Sequence, residues 1–239
     1  MQKEKAVGII GCVFVLMTML LSGCDTITPY SPPKPPLLPG QVDQPFSIHV
    51  DSLVARDADL KAKTYIIASA MKNVDDGDIQ FKEFARYVEN ALALKGYIRK
   101  NNKEGADLLI SLAYWIGEPQ TTTSTETYTS GVGYSYPVGW MWYTVPPQIR
   151  QETTTNTTYK ETLVLEAYDL KDTSKRSQLW KTTMENVVYE NNIENDIGDL
   201  RLVLPYMIKA GMKYFGVDSR EKKYEWVEGR DPMVLEIRK

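Results

Sequence analysis

The sequence predicts an α+β domain: an antiparallel or mixed sheet with two helices packed on one face and a long Thr/Tyr/Gly-rich hairpin excursion. Three observations lead there. β-Branched and apolar residues dominate Thr64-Tyr65-Ile66-Ile67-Ala68, Ala106 to Ile116 and Thr162 to Asp169, the last two with a period of two, as a strand with one buried face requires. Two other stretches, 81–92 and 200–215, carry apolar residues at helical spacing. Between residues 118 and 158 the composition turns to Thr, Tyr, Gly and Ser.

Taken in order, Thr64 to Ala68 is the first expected strand of the domain, ended by the turn-forming residues Asn73 to Gly77. Asp78 is placed to cap a helix in which Phe81, Phe84, Ala85, Val88, Ala91 and Leu92 form one face, and Gly96 is placed to stop it. Leu108, Ile110, Leu112, Tyr114 and Ile116 then share one side of a strand. The excursion over 118–158 has Thr121 to Thr125 and Thr153 to Thr158 at its ends, residue types that suit extended hairpin arms. Thr162 to Asp169 pairs with a strand around Leu179 to Val188 through a polar turn at Lys171 to Ser177. A second helix spans Leu200 to Phe215, with Pro205 inside its first turns or marking its start and Gly216 closing it. In a C-terminal tail, 218–239, two short strand-like runs flank Gly229-Arg230-Asp231-Pro232 as an edge hairpin. The domain proper is expected over 61–217.

The N-terminus carries different information. Lys3 and Lys5 precede an apolar run from Ala6 to Leu20 that is short for a membrane span, the pattern of an export signal over 1–23. Leu21-Ser22-Gly23-Cys24 then resembles a bacterial lipobox, where the Cys24 thiol takes a diacylglycerol and the chain is cut before it. The residues from 24 to 60, with prolines at 29, 32, 33, 35, 36, 39 and 45, read as a tether in polyproline II that holds the domain up to about 70 Å from the bilayer. The expected location is therefore the bacterial cell envelope, lipid-anchored with the domain in the periplasm, on either membrane. Besides Cys24 the only cysteine is Cys12, inside the signal, so no disulfide is available to the folded part. A formal net charge of −3 with both signs dispersed leaves no basic stripe for nucleic acid.

Several stretches occur in an order that resembles the bacterial lipoprotein family with domain of unknown function 4136: the Phe-rich helix Phe81 to Leu94, Gly96-Tyr97, Ala106-Asp107-Leu108-Leu109-Ile110, Thr162 to Asp169, and Leu179-Trp180. The resemblance covers roughly residues 60 to 215. The sequence departs from the family's usual pattern in having Glu166 for Asp, Thr182 where Gly often follows the hairpin Trp, and a longer excursion. The resemblance implies a fold and an envelope location; it carries no catalytic residue.

Candidate chemistry is sparse. Asp75-Asp76-Gly77-Asp78 looks like part of a calcium loop, but with Gly77 at the turn position Lys72 and Val74 fall where ligands belong, so a turn and helix cap is expected instead. His49 is the sole histidine, which rules out a His-based triad or a two-His zinc site within one chain. Glu166 and Asp169 are the acids to consider for a carboxylate hydrolase, yet residues three apart on a strand face opposite ways. The sequon Asn156-Thr157-Thr158 has no bearing in a bacterial lipoprotein. No metal or cofactor is expected, nor an enzyme.

The most unusual segment is Tyr134-Ser135-Tyr136-Pro137-Val138-Gly139-Trp140-Met141-Trp142-Tyr143. Exposed, Tyr134, Tyr136, Trp140, Trp142 and Tyr143 could stack on glycan or peptidoglycan, enter an interfacial lipid layer, or form a hot spot for an envelope protein; folded back, they would cover an apolar edge of their own sheet. The expectation is a non-enzymatic binding or scaffolding module.

Overall fold

A computed structural model describes residues 36–37, 39, 42–58, 60–171, 177–189 and 199–239. The signal segment, Cys24, the tether as far as Pro35 and the turn residues 172–176 lie outside the described residues. Leu37 to Lys239 forms one compact unit.

The strands are β1 (Phe46–Val54), β2 (Thr64–Ser69), β3 (Ile98–Arg99), β4 (Leu108–Ile116), β5 (Gln120–Ser130), β6 (Tyr134–Val138), β7 (Met141–Val145), β8 (Gln148–Asp169), β9 (Gln178–Tyr189) and β10 (Lys223–Val227). The helices are α1 (Ile79–Leu94), α2 (Leu200–Gly211) and α3 (Pro232–Arg238). Among the described residues the main sheet has eight strands in the order β10-β1-β9-β8-β4-β2-β3, with β5 paired to the far half of β8. β2 runs parallel to β3 and β4, and the remaining pairs are antiparallel, so the sheet is mixed.

The helices pack on one face of this sheet, and the alternation in the strands is what permits it. Ile48 and Val50, Leu108, Ile110 and Leu112, Leu163, Leu165 and Ala167, and Trp180 and Met184 all turn to the helix side and are buried. From α1, Phe84 meets the Tyr114 ring edge-on at 4.6 Å; Trp180 stacks on Phe215, just beyond α2, at 5.8 Å. α1 starts where its cap dictates: Asp78 Oδ1 accepts from Phe81 N at 3.0 Å. It ends at Gly96, whose φ of 81° only glycine adopts without strain. Pro205 lies inside α2, in its second turn, where it forgoes the bond that an N–H there would make to the Arg201 carbonyl.

Three expectations are corrected. The tether does not run to residue 60, because Phe46–Val54 forms β1 in the sheet interior, flanked by β10 and β9. Its alternation of Phe46, Ile48 and Val50 was overshadowed by the preceding prolines, yet burying those three side chains on the helix side is what holds it there. The tail at 218–239 is not a hairpin but the edge strand β10 followed by α3, with Pro232 in the first turn and Asp231 accepting from Met233 N at 2.8 Å. Consequently three helices, not two, cover the sheet; Val234 and Ile237 of α3 are fully buried.

Candidate functional site

β8 is 22 residues long, and only its second half belongs to the core. β9 reaches Tyr189, opposite Thr158, and beyond that register β8 has β5 as its partner. From Gln120↔Thr158 to Ser130↔Gln148 the two strands form an antiparallel arm. At the usual rise per residue its eleven register pairs carry the chain about 35 Å out from the domain. Thr121 faces Thr157 and Thr125 faces Thr153, their hydroxyls 3.3 Å apart, and nearly every side chain along both strands is exposed. A two-stranded ribbon without a covering layer gains almost nothing from apolar burial.

The ladder breaks at Gly131-Val132-Gly133 and Pro146-Pro147. Proline has no N–H to donate, and a Cβ on Gly133 would stand 2.9 Å from Pro147 Cδ, so the two segments pass too closely for any larger residue. Beyond the break, β6 and β7 form a separate hairpin with Tyr136 opposite Tyr143 and Pro137 opposite Trp142. Gly139 at φ 63° and Trp140 make its two-residue loop, the Gly-first pattern of tight hairpins. Ser135 and Thr144 hydrogen-bond each other at 2.9 Å, and Tyr136 lies 6.1 Å from Tyr134 and 5.6 Å from Tyr143. All five sequence-nominated aromatics thus come together at the tip, and all are exposed, Trp140 to 91% and Trp142 to 73%. The alternative in which this segment folds back over its own sheet is overturned, since the long Thr-rich arm holds it away.

A second surface is the face of the sheet opposite the helices. There an open cleft of about 830 Å3 is lined by Ile66 and Ala68 of β2, Arg99, Lys103, and Glu166 and Tyr168 of β8. Tyr168 Oη donates to Glu166 Oε2 at 2.7 Å, and Lys181 Nζ lies 3.2 Å from Glu166 Oε1. Burial opposes ionisation of Glu166, but the Tyr168 and Lys181 bonds outweigh it and hold its carboxyl below the usual range. Burial and the same bond push the Tyr168 hydroxyl up to about 12. Asp169 is not brought to Glu166: Asp169 sits opposite Leu108, and Glu166 opposite Ser111 on the other face. The sequence reading did not single out Arg99 or Lys103, because strand alternation says nothing of which loop overhangs a face.

The other candidates resolve locally. Asp75 Oδ1 accepts from Gly77 N at 2.9 Å and Asp76 Oδ1 from Ser69 N at 2.7 Å, so the acidic cluster serves as a turn and cap. His49 lies in β1 with its ring edge-on to Tyr224 at 4.3 Å; burial, then the charge of Lys222, lowers its pKa. Among the described residues no group of three or more His, Cys, Asp or Glu is arranged to hold a metal ion. No helix among them is long and apolar enough to cross a membrane.

One polar group was missed. Glu161, at the base of the arm, is 1% exposed on the helix side of the sheet, bonded by Asn186 Nδ2 at 2.8 Å. Burial raises its pKa; the Asn186 bond opposes that and the nearby Asp199 adds to it. The signal was available, since Glu161 shares the parity of Leu163, Leu165 and Ala167.

The chain is thus an α+β sheet domain with helices on one face, an open cleft on the other, and an aromatic-tipped arm projecting from a central strand. It belongs to the family described as a domain of unknown function, DUF4136, which matches residues 50–215. That match begins inside β1, in keeping with the corrected domain boundary. No curated protein matches the chain. Among solved structures it is similar to a PDZ domain protein from Parabacteroides distasonis, with 18% identity and a TM-score of 0.43 over 77% of this chain and 39% of that one. The chain therefore spans about two-fifths of that protein's length. It is also similar to a DUF4136 family protein from Bacteroides thetaiotaomicron, with 15% identity and a TM-score of 0.37 over 71% of this chain and 96% of that one.

Proposed function

We propose that this protein is a lipid-anchored, non-enzymatic module of the bacterial envelope, tethered through acylated Cys24, that binds or scaffolds another envelope component through residues 134–143. The observation that supports this reading is the exposure of five aromatic rings on a hairpin held about 35 Å from the domain. Exposed aromatics cost solubility, and a contact surface gives them a use. The lipobox pattern at Leu21 to Cys24 supplies the anchor.

The experiment is an in-cell crosslinking pull-down of the full chain beside a variant lacking residues 131–143, with labelled palmitate fed to wild type and Cys24→Ser. A partner lost on deletion and label lost on substitution are the expected results. Unchanged partners in the deletion remove the contact reading, and label retained without Cys24 removes the anchor. A second reading, glycan or peptidoglycan binding, is favoured by the exposed rings of Trp140 and Trp142; it requires a glycan pull-down that Trp140→Ala with Trp142→Ala abolishes. A carboxylate hydrolase would need two acids converging in one pocket, which Glu166 and Asp169 do not do.

A further inference from the structure

Charge along the arm stops short of its outer end on both strands, at Glu126 on one and Arg150 on the other. At the apex Pro137, Val138, Trp140, Met141 and Trp142 are apolar on both faces of the hairpin and exposed. One step back stand Tyr134, Tyr136 and Tyr143, rings that carry a single hydroxyl. Behind them the residues are mixed but uncharged, with Tyr128, Val132 and Ile149 exposed among Ser, Thr, Gly, Pro and Gln, and the first charges appear only at Glu126, Arg150 and Glu152, within the arm proper. From Thr127 to Ile149 there is no charged side chain at all, in a protein whose composition is 25% charged.

We propose that the tip of this arm enters a lipid bilayer end-on to the depth of the interface, with the apex among acyl chains, the tyrosines at the headgroups and Glu126, Arg150 and Glu152 in water. This rests on the reading that residues 134–143 make the contact, and it names what they touch. Tryptophan and tyrosine are the residues that concentrate where membrane meets water, since each pairs an apolar ring with one polar atom. A sugar would need hydrogen-bonding side chains beside the rings, but apart from the phenols and the indole N–H groups of Trp140 and Trp142 the only ones between Tyr134 and Val145 are Ser135 and Thr144, which bond each other. Protein hot spots share the Trp and Tyr but usually add Arg and a polar rim, and between Tyr134 and Val145 there is no charged side chain to supply either.

Lipid asks for none of these, only that no charge be dragged in. The depth is limited as well as permitted. A two-stranded hairpin leaves the outer backbone groups of both strands unpaired, which hydrocarbon does not tolerate, so the tip stops where headgroups and water still reach them. The Cys24 anchor does not oppose this geometry: the eighteen residue steps from Cys24 to Val42 span at most ~65 Å, similar to the reach of arm and tip together.

The test uses the full chain with Cys12→Ser and Cys24→Ser, so that one introduced thiol carries an environment-sensitive fluorophore. The thiol is placed by Met141→Cys, Thr144→Cys or Thr123→Cys, and the protein is bound to vesicles of phosphatidylethanolamine and phosphatidylglycerol with brominated acyl chains. The expected result is graded quenching: strong at 141, weaker at 144, absent at 123, with the signal at 141 lost when Trp140→Ala and Trp142→Ala are added. A label at 141 no more quenched than at 123, or all three quenched alike, overturns the proposal. If 141 stays in water while deleting 131–143 still removes a crosslinked partner in cells, the lipid contact fails and the contact reading survives. Quenching at 141 with unchanged protein crosslinks upholds the lipid contact and removes the scaffolding role.

Discussion

Gly229→Ala is the most informative single change to the fold. A Cβ at Gly229 would stand 2.1 Å from the carbonyl oxygen of Val42 and 2.6 Å from that of Gln44, both backbone atoms of the segment leading into β1. Neither can rotate away, so the β10–α3 turn and this segment must part by roughly 1 Å to restore ordinary contact. That separation breaks the bond from Val42 N to Gly229 O, now 3.2 Å, and draws Gly229 O from the buried Tyr206 hydroxyl that donates to it at 2.7 Å. Losing the backbone bond costs about 1 kcal/mol, and leaving a buried hydroxyl without its acceptor about 1–3 kcal/mol, so the variant should lose about 2–4 kcal/mol. For a domain of this size that lowers Tm by roughly 4–16 °C. Thermal unfolding followed by circular dichroism measures it, with Gly105→Ala as control because its Cβ would meet nothing nearer than 3.6 Å. A Gly229→Ala variant that melts with the control would refute the reasoning, since it would mean that the clash relaxes without disturbing either bond.

Glu161→Gln should raise stability at about pH 8 and change it little near pH 4, read from urea midpoints across that range. The sign follows from burial, which raises the folded-state pKa above the unfolded one: the neutral carboxyl is favoured on folding, so the stability it contributes is complete below the usual carboxylate range and is lost as pH rises through the raised value. A wild-type midpoint that does not fall relative to that of Glu161→Gln through this window contradicts the assignment. Asp78→Ala removes the side-chain acceptor of Phe81 N and should cost about 1 kcal/mol, while Asp75→Ala at the neighbouring turn, outside the helix, should cost less; equal losses in urea unfolding would argue against the capping role.

How far the sequence went depended on whether a feature is local. The helix from Asp78 to Gly96 was legible because cap, apolar face and left-handed stop all act within a few residues. The pairing of Leu163, Leu165 and Ala167 with the strand around Trp180 was legible because period two states which side is buried. β1 was not, because nine residues of ordinary alternation behind a run of prolines carry no local mark of where they will pair. α3 was missed because seven residues hold too few turns to show a period; its place comes from Val234 and Ile237 meeting a core built elsewhere.

The candidate surface divides the same way. By itself, the sequence determined that five aromatics stand close together in a charge-free stretch with Thr-rich flanks, since those are matters of composition and order. It could not decide between a tip exposed on an arm and a loop folded over the sheet, because the two use the same residues and differ only in register. Tertiary structure decided it: β9 reaches Tyr189 opposite Thr158 while β8 continues, so from there outward the ribbon has, among the described residues, no third strand and no helix to fold against. Burial of Glu161 has the same origin, for a carboxylate is placed inside only by the neighbours that fix its strand's register, and those neighbours lie 25 or more residues away in the chain.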